Sequence, residues 1–273
     1  MEKDMTQFAL NHMTAPGLSW EAFLDLAKGL DCVGVEFRND LKGPLFGGAD
    51  PVVVGQAVRD RGLRFLALAE VKMFNDWSDA KAAEAEALMV IAKAAGAEAV
   101  SLIPRNDGVA TDRAESRKVT ERALREILPM LKAHGLKAMV EPLGFAVCSL
   151  RYKDILADAI DTVGGVGTYY MVHDTFHHHL AGGGDLFPEL TGIVHVSGVV
   201  DPAVAVDDMR DPHRVLVDDR DRLGNITQIR DLQAAGYDGP VSYEPFAPEV
   251  HAMADHGPAL RDSMDFIRAG LRA

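Results

Sequence analysis

The chain repeats one pattern from end to end: a short apolar run, then a longer amphipathic or polar stretch, eight times over. The runs fall at 6–11, 32–37, 64–68, 99–103, 136–140, 168–172, 192–196 and 240–243. Short, apolar and often β-branched, they read as strands buried on both faces of a parallel sheet. Amphipathic segments fill the intervals at 19–29, 78–95, from Thr111 or Asp112 to His134, 154–162, 226–235 and 258–271. Their ends are punctuated: Ser19 is placed as an N-cap with Glu21 in the first turn, and Gly29, Gly96 and Gly135 stand where helices close. Only a weak helix signal follows His177, where Gly182, Gly183 and Gly184 interrupt the chain. Eight strands alternating with helices in 273 residues is the scale of a (β/α)8 TIM barrel. The expectation is therefore an α/β fold, one TIM-barrel domain across residues 1–273. A doubly wound open sheet is the alternative. Its usual nucleotide signatures are missing, since no Gly-x-Gly-x-x-Gly follows the first run and no Gly-Lys-Ser/Thr loop occurs.

Four successive runs end in a metal-binding side chain. The fifth reads KAMVEPLG and ends at Glu141; the sixth reads YYMVHDTFH, with His173 and Asp174 at its end and His177 beyond. The seventh, GIVHVSG, carries His195, and the eighth, PVSYEPF, carries Glu244. In a barrel, residues at the C-terminal strand ends converge on one mouth. Three carboxylates brought together without a cation repel one another and take up protons. A divalent ion removes that penalty, so Glu141, Asp174, His195 and Glu244 read as ligands of one metal. Mixed oxygen and nitrogen donors suit Mn2+, Zn2+, Co2+ or Mg2+ rather than a thiolate-loving metal. Taken singly, a strand-end carboxylate is often a helix cap and a strand histidine a packed core residue; four in succession argue against four separate explanations of that kind.

Charge and cysteine content narrow the surroundings. A net charge of −13 repels phosphate backbones and anionic membrane surfaces, so neither nucleic acid nor a membrane is expected as a partner. Two cysteines, Cys32 and Cys148, do not make a disulfide framework and fit a reducing cytoplasm. The opening MEKDMTQFAL has no secretory pattern. After the third run, AEVKMFN places Lys72 and Asn75 as candidates to face the mouth, with a solvated lysine as the other reading of Lys72. Glu70 has no assigned facing. Phe74 and Trp77 either wall the pocket or staple the next helix. His178 and His179 read as loop or packing residues. The stretch 201–225, with seven aspartates, lacks the glycine and glutamate of an EF-hand loop and reads as a solvated loop beside the site.

At these residues the chain resembles the xylose-isomerase-like barrel superfamily of sugar isomerases and epimerases, and within it the inosose (2-keto-myo-inositol) isomerase group. EPLGFAVCSL is similar to that superfamily's Glu-x-x-Gly segment, HDTFHHHLAG to its Asp-Ser/Thr-Phe-His motif, IVHVSG to its strand-seven histidine, and VSYEPFAPE to its last strand. The resemblance implies Glu141 and Glu244 as an acid/base pair as well as ligands, and His177 as a donor to a substrate oxygen. It also implies Arg214, in PHRVLV, as a contact to substrate or to a carboxylate, and it matches Glu36 and Arg38 to a Glu-x-Arg element, with Glu36 expected to bind substrate. One feature departs: the Pro-Gly turn common after that arginine is replaced by the charged 218–224, DDRDRLG.

The activity so implied is metal-dependent isomerisation of a keto-inositol or related ketose, by proton abstraction beside a metal-bound carbonyl through an enediolate. Ketose 3-epimerisation and inosose dehydration use the same residue types and remain alternatives. Endonuclease-IV-like DNA repair needs further metal ligands and a cationic groove, and a non-catalytic sugar-binding barrel would leave the acid/base pair idle. A homo-oligomer is compatible with such a barrel, with no interface assigned.

Overall fold

The computed structural model describes residues 6–273; residues 1–5, part of the opening stretch considered above, lie outside the described residues. Eight strands run β1 (Phe8–Asn11), β2 (Gly34–Arg38), β3 (Arg64–Lys72), β4 (Ala99–Ile103), β5 (Lys137–Val140), β6 (Tyr169–Asp174), β7 (Thr191–Val196) and β8 (Val241–Tyr243). Every neighbouring pair is parallel, and β8 pairs with β1, closing a TIM barrel. The helices between are α1 (Trp20–Gly29), α2 (Pro51–Asp60), α3 (Asp79–Ala95), α4 (Arg113–His134), α5 (Lys153–Thr162), α6 (Thr175–Leu180), α7 (Asn225–Ala234), α8 (Pro248–His251) and α9 (Gly257–Arg272).

Two apolar layers hold the barrel. Between strands and helices lies the larger one, built on residues such as Phe23, Phe37, Leu124, Tyr169 and Ile267. Inside the barrel sits a smaller cluster of Ala9, Leu66, Ala67, Ala99, Met139, Val172 and Ile193. That inner cluster fixes which way the strand ends point. Side chains alternate along a strand with period two. Met139, Val172 and Ile193 face inward, so Glu141, Asp174 and His195, each two residues further on, face inward at the C-terminal mouth.

Three local differences from the expected pattern have physical causes. β3 continues four residues past Leu68 to Lys72, because a register shift against β4 between Leu68 and Val71 restores pairing at Val71↔Leu102 and Lys72↔Ile103. α2 is not among the expected helices; its Val52–Val53–Val54 run and Gly55 are weak helix formers. Its start is marked by Asp50, whose side chain accepts from Val52 N at 2.8 Å, followed by Pro51 in the first turn. Gly55 lies against α3: a Cβ there would stand 1.9 Å from the Ala95 carbonyl oxygen. No helix lies between Leu180 and β7 among the described residues; α6 begins ahead of His177, at Thr175, with Asp174 itself as N-cap.

Candidate metal centre

The four strand-end residues meet. One donor atom from each of Glu141, Asp174, His195 and Glu244 lies within 4.8 Å of the others, and all four residues are buried. Each is held by a different means. Asp174 Oδ1 caps α6, accepting from Phe176 N at 2.7 Å and His177 N at 3.2 Å, while Oδ2 accepts from Arg214 Nη2 at 2.6 Å. Glu244 accepts from Arg38 Nη1 at 2.8 Å on Oε1 and from Arg214 Nη2 at 3.0 Å on Oε2. Arg38 is itself gripped by Asp40 through two contacts of 2.8 Å and by Glu70 at 3.3 Å. Phe246 lies under both guanidiniums, 4.5 Å from that of Arg214 and 5.8 Å from that of Arg38.

His195 has the orientation of a ligand. Its Nε2 donates to the Glu36 carboxylate, 3.1 Å from either oxygen, and Ser242 Oγ donates to the same carboxylate at 2.6 Å. This leaves Nδ1 turned to the cluster, buried and without a hydrogen-bond partner. Glu244 Oε2 stands 3.3 Å from it, at an angle that makes no hydrogen bond. A carboxylate behind the distal nitrogen is the usual support of a metal-bound imidazole, since it fixes the tautomer and makes the ring more basic. Burial alone would lower the His195 pKa, yet the charges of Glu36 and Glu244 outweigh it and hold it well above the ordinary value. A cation at Nδ1 would replace that proton. The donor set and the orphaned Nδ1 both fit a divalent ion.

The two glutamates stand in contrast. No side chain among the described residues donates a hydrogen bond to Glu141; His177 Nε2 is 3.7 Å from its Oε1. Burial first, and then the charge of Glu244, raise its pKa well above the carboxylate range. Glu244 is equally buried, but His195, Arg214 and Arg38 outweigh that burial and hold it below the ordinary value.

A cavity of about 380 Å³ opens above the cluster. Lys72, His177 and Arg214 line it, along with Glu141 and Glu244. Glu36 does not line it: the structure sets this residue behind His195, so its contact is with the histidine rather than with the cavity. Asn75 also turns away, donating to Ser149 Oγ at 2.8 Å and accepting from Arg105 N at 2.9 Å. Phe74 and Trp77 pack in the outer layer, the stapling alternative. Asp40, Glu70 and Phe246 were not assigned from sequence. Asp40 lies two residues beyond the end of β2 and Glu70 within β3, and only their shared grip on Arg38 marks them. His178 packs on His173, with ring centroids 4.8 Å apart. The acidic stretch 201–225 is knitted to itself: Asp221 accepts from Gly224 N and Asn225 N at 3.0 Å each, and Asp211 reaches Arg214 at 3.5 Å.

Residues 24–270 match the family model of the xylose isomerase-like TIM barrel. The chain belongs to this family. A xylose isomerase domain-containing protein from Salmonella typhimurium is similar to this xylose isomerase-like barrel over 100% of both chains, at 29% identity and a TM-score of 0.90. The IolI protein, solved with a bound zinc atom, shares 18% identity over 97% of this chain and 96% of its own, with a TM-score of 0.82. D-psicose 3-epimerase from Clostridium cellulolyticum, solved with D-tagatose, shares 15% identity over 97% and 99%, with a TM-score of 0.74. No protein with a curated description matches the chain. No helix of this xylose isomerase-like barrel, among the described residues, is long and apolar enough to cross a membrane.

Proposed function

We propose that the protein is a divalent-metal-dependent isomerase of a keto-inositol or related ketose. Glu141, Asp174, His195 and Glu244 would hold the ion, and Glu141 and Glu244 would form the acid/base pair. The observation that carries this reading is the buried donor set around an unpartnered His195 Nδ1, beside a glutamate that no donor ties down. The zinc in the IolI protein and the ketose in the psicose epimerase support it. When bound, the ion would supply Lewis-acid polarisation of a substrate carbonyl.

The chain's own residues then divide the work. Glu141, to which no side chain among the described residues donates, is the group placed to take a proton from carbon and to return it. His177, buried 3.7 Å away with its pKa lowered by burial, stays neutral and donates to a substrate oxygen. Lys72 and Arg214, both on the cavity wall, would bind the remaining hydroxyl groups. Glu244 has both oxygens engaged by guanidiniums. Isomerisation takes a proton from one carbon and returns it to its neighbour, whereas epimerisation takes it on one face and returns it on the other; Glu141 and Glu244 are the residue types both need.

The test is incubation in D2O with 2-keto-myo-inositol and a panel of ketoses, followed by NMR. The expected result is a moved carbonyl with deuterium at the adjacent carbon, lost in Glu141→Gln and reduced in Glu244→Gln. Inversion without carbonyl movement would replace this reading by an epimerase, and loss of water by a dehydratase. Metal bound without turnover of any panel member would leave a binding protein.

A further inference from the structure

A second cavity, of about 310 Å³, lies outside the mouth, between the loop entering α5 and the glycine turn that follows α6. Arg151, Tyr152, Lys153, His178 and Gly183 line it, and His177 borders both this cavity and the mouth. Nothing in the proposed reaction uses it.

Neither of its cations has a carboxylate partner among the described residues, although Asp154 and Asp185 share the wall. Lys153 opens α5, and its ammonium hydrogen-bonds His173 Nδ1 on the outer face of β6. The tautomer of that ring follows from its other neighbour. Gln228 Nε2 donates to the carbonyls of Leu223 at 2.8 Å and Thr175 at 3.2 Å, so its Oε1 must accept from His173 Nε2 at 2.8 Å. His173 Nδ1 is therefore the bare nitrogen, and Lys153 has a neutral partner. No carboxylate within ion-pair distance of Lys153 or Arg151 is found among the described residues, and Asp154, on the same wall, is already engaged by Arg113. Arg151 donates from Nη2 to Leu180 O at 2.8 Å, while its Nε is buried with no partner. The N-cap of α5, Tyr152, supplies no side-chain acceptor, so the first N–H groups of that helix are open as well.

Burying a cation without a counter-ion is costly. The cost shows in Lys153, whose pKa burial lowers to about 7, opposed only by the charge of Asp174. An anion in the cavity would offset it, and a lysine, an arginine and an uncapped helix start are the groups that bind carboxylates and phosphates. We propose that this side cavity is a binding site for a small carboxylate- or phosphate-bearing anion, held by Lys153, Arg151 and the first N–H groups of α5. The anion would sit one side chain, His177, away from the reacting centre.

Calorimetry on the metal-loaded protein at pH 6.5 tests this, with inorganic phosphate and acetate as probes and chloride at equal ionic strength as reference. Saturable binding of at least one probe is expected, weakened tenfold or more by Lys153→Met and by Arg151→Gln. Because loss of Lys153 disturbs a buried pair, Arg151→Gln, at a half-buried position, carries the test if the other variant does not fold. Saturation by acetate alone assigns a carboxylate ligand, by phosphate alone a phosphate, and by both the shared anion chemistry. No saturation above chloride, or binding that both variants retain, overturns the proposal.

Discussion

Substituting Glu36 by glutamine isolates the support behind His195, the imidazole proposed to bind the metal. Glu36 is 1% exposed and sits across the barrel from His195, so it contributes no ligand atom of its own. Its carboxylate accepts two donors, His195 Nε2 and Ser242 Oγ. A glutamine of nearly equal volume can still accept from His195 through Oε1 and turn its amide toward the Ser242 oxygen. The tautomer would then survive, and only the negative charge behind the ring would be lost. Loss of such a partner typically weakens metal binding 10–100-fold. The isosteric change belongs near the lower end, about tenfold or about 1.4 kcal/mol, and Glu36→Ala, which also frees the ring to rotate, near the upper end. Competition against a chromophoric chelator at pH 7.5 measures both. Affinities within twofold of wild type for both variants, with melting curves showing folded protein, would refute the argument that Glu36 acts through His195.

Further outcomes follow from other contacts. Gly55→Ala is expected to lower stability by about 1–3 kcal/mol in urea unfolding, although alanine is the better helix former by about 1 kcal/mol, because the new Cβ meets the Ala95 backbone. Arg214→Ala leaves Asp174 and Glu244 buried without their shared guanidinium and should cost about 3–5 kcal/mol in metal-free protein, with part of the loss recovered on adding metal. His12 is kept neutral by burial, its pKa lowered to about 4 from 6.5. The unfolded chain therefore binds the extra proton between those values, and stability falls as pH drops from about 6.5 to about 4, by at most about 1.4 kcal/mol per pH unit from this ring. His12→Gln should flatten that part of the profile in denaturant titrations, and an unchanged slope would contradict it.

The barrel was legible because its periodicity is redundant: losing α2 behind a valine run and a glycine changed nothing in the strand order. The four convergent residues were legible for a related reason, since each ends an apolar strand and period two then decides its facing. Contacts between distant segments were not. Glu36 and His195 stand 159 residues apart, and a glutamate ending β2 gives no local sign that it backs a histidine on β7. The same holds for Arg38, which reads as a motif residue but acts as a bridge between Asp40, Glu70 and Glu244. Lys153 was invisible as a charge in need of a partner, because its burial comes from α6 and β6 folding over the start of α5.

Glu141, Asp174, His195 and Glu244 are proposed to hold one divalent ion. Anomalous diffraction from crystals grown with Zn2+ or Mn2+ tests it directly. A single strong peak is expected at the barrel mouth, about 2.0–2.1 Å from His195 Nδ1 for zinc, with carboxylate oxygens of the other three in its coordination sphere. No peak there, or a peak with Arg38 and Arg214 still closing the cluster and His195 uncoordinated, would contradict it.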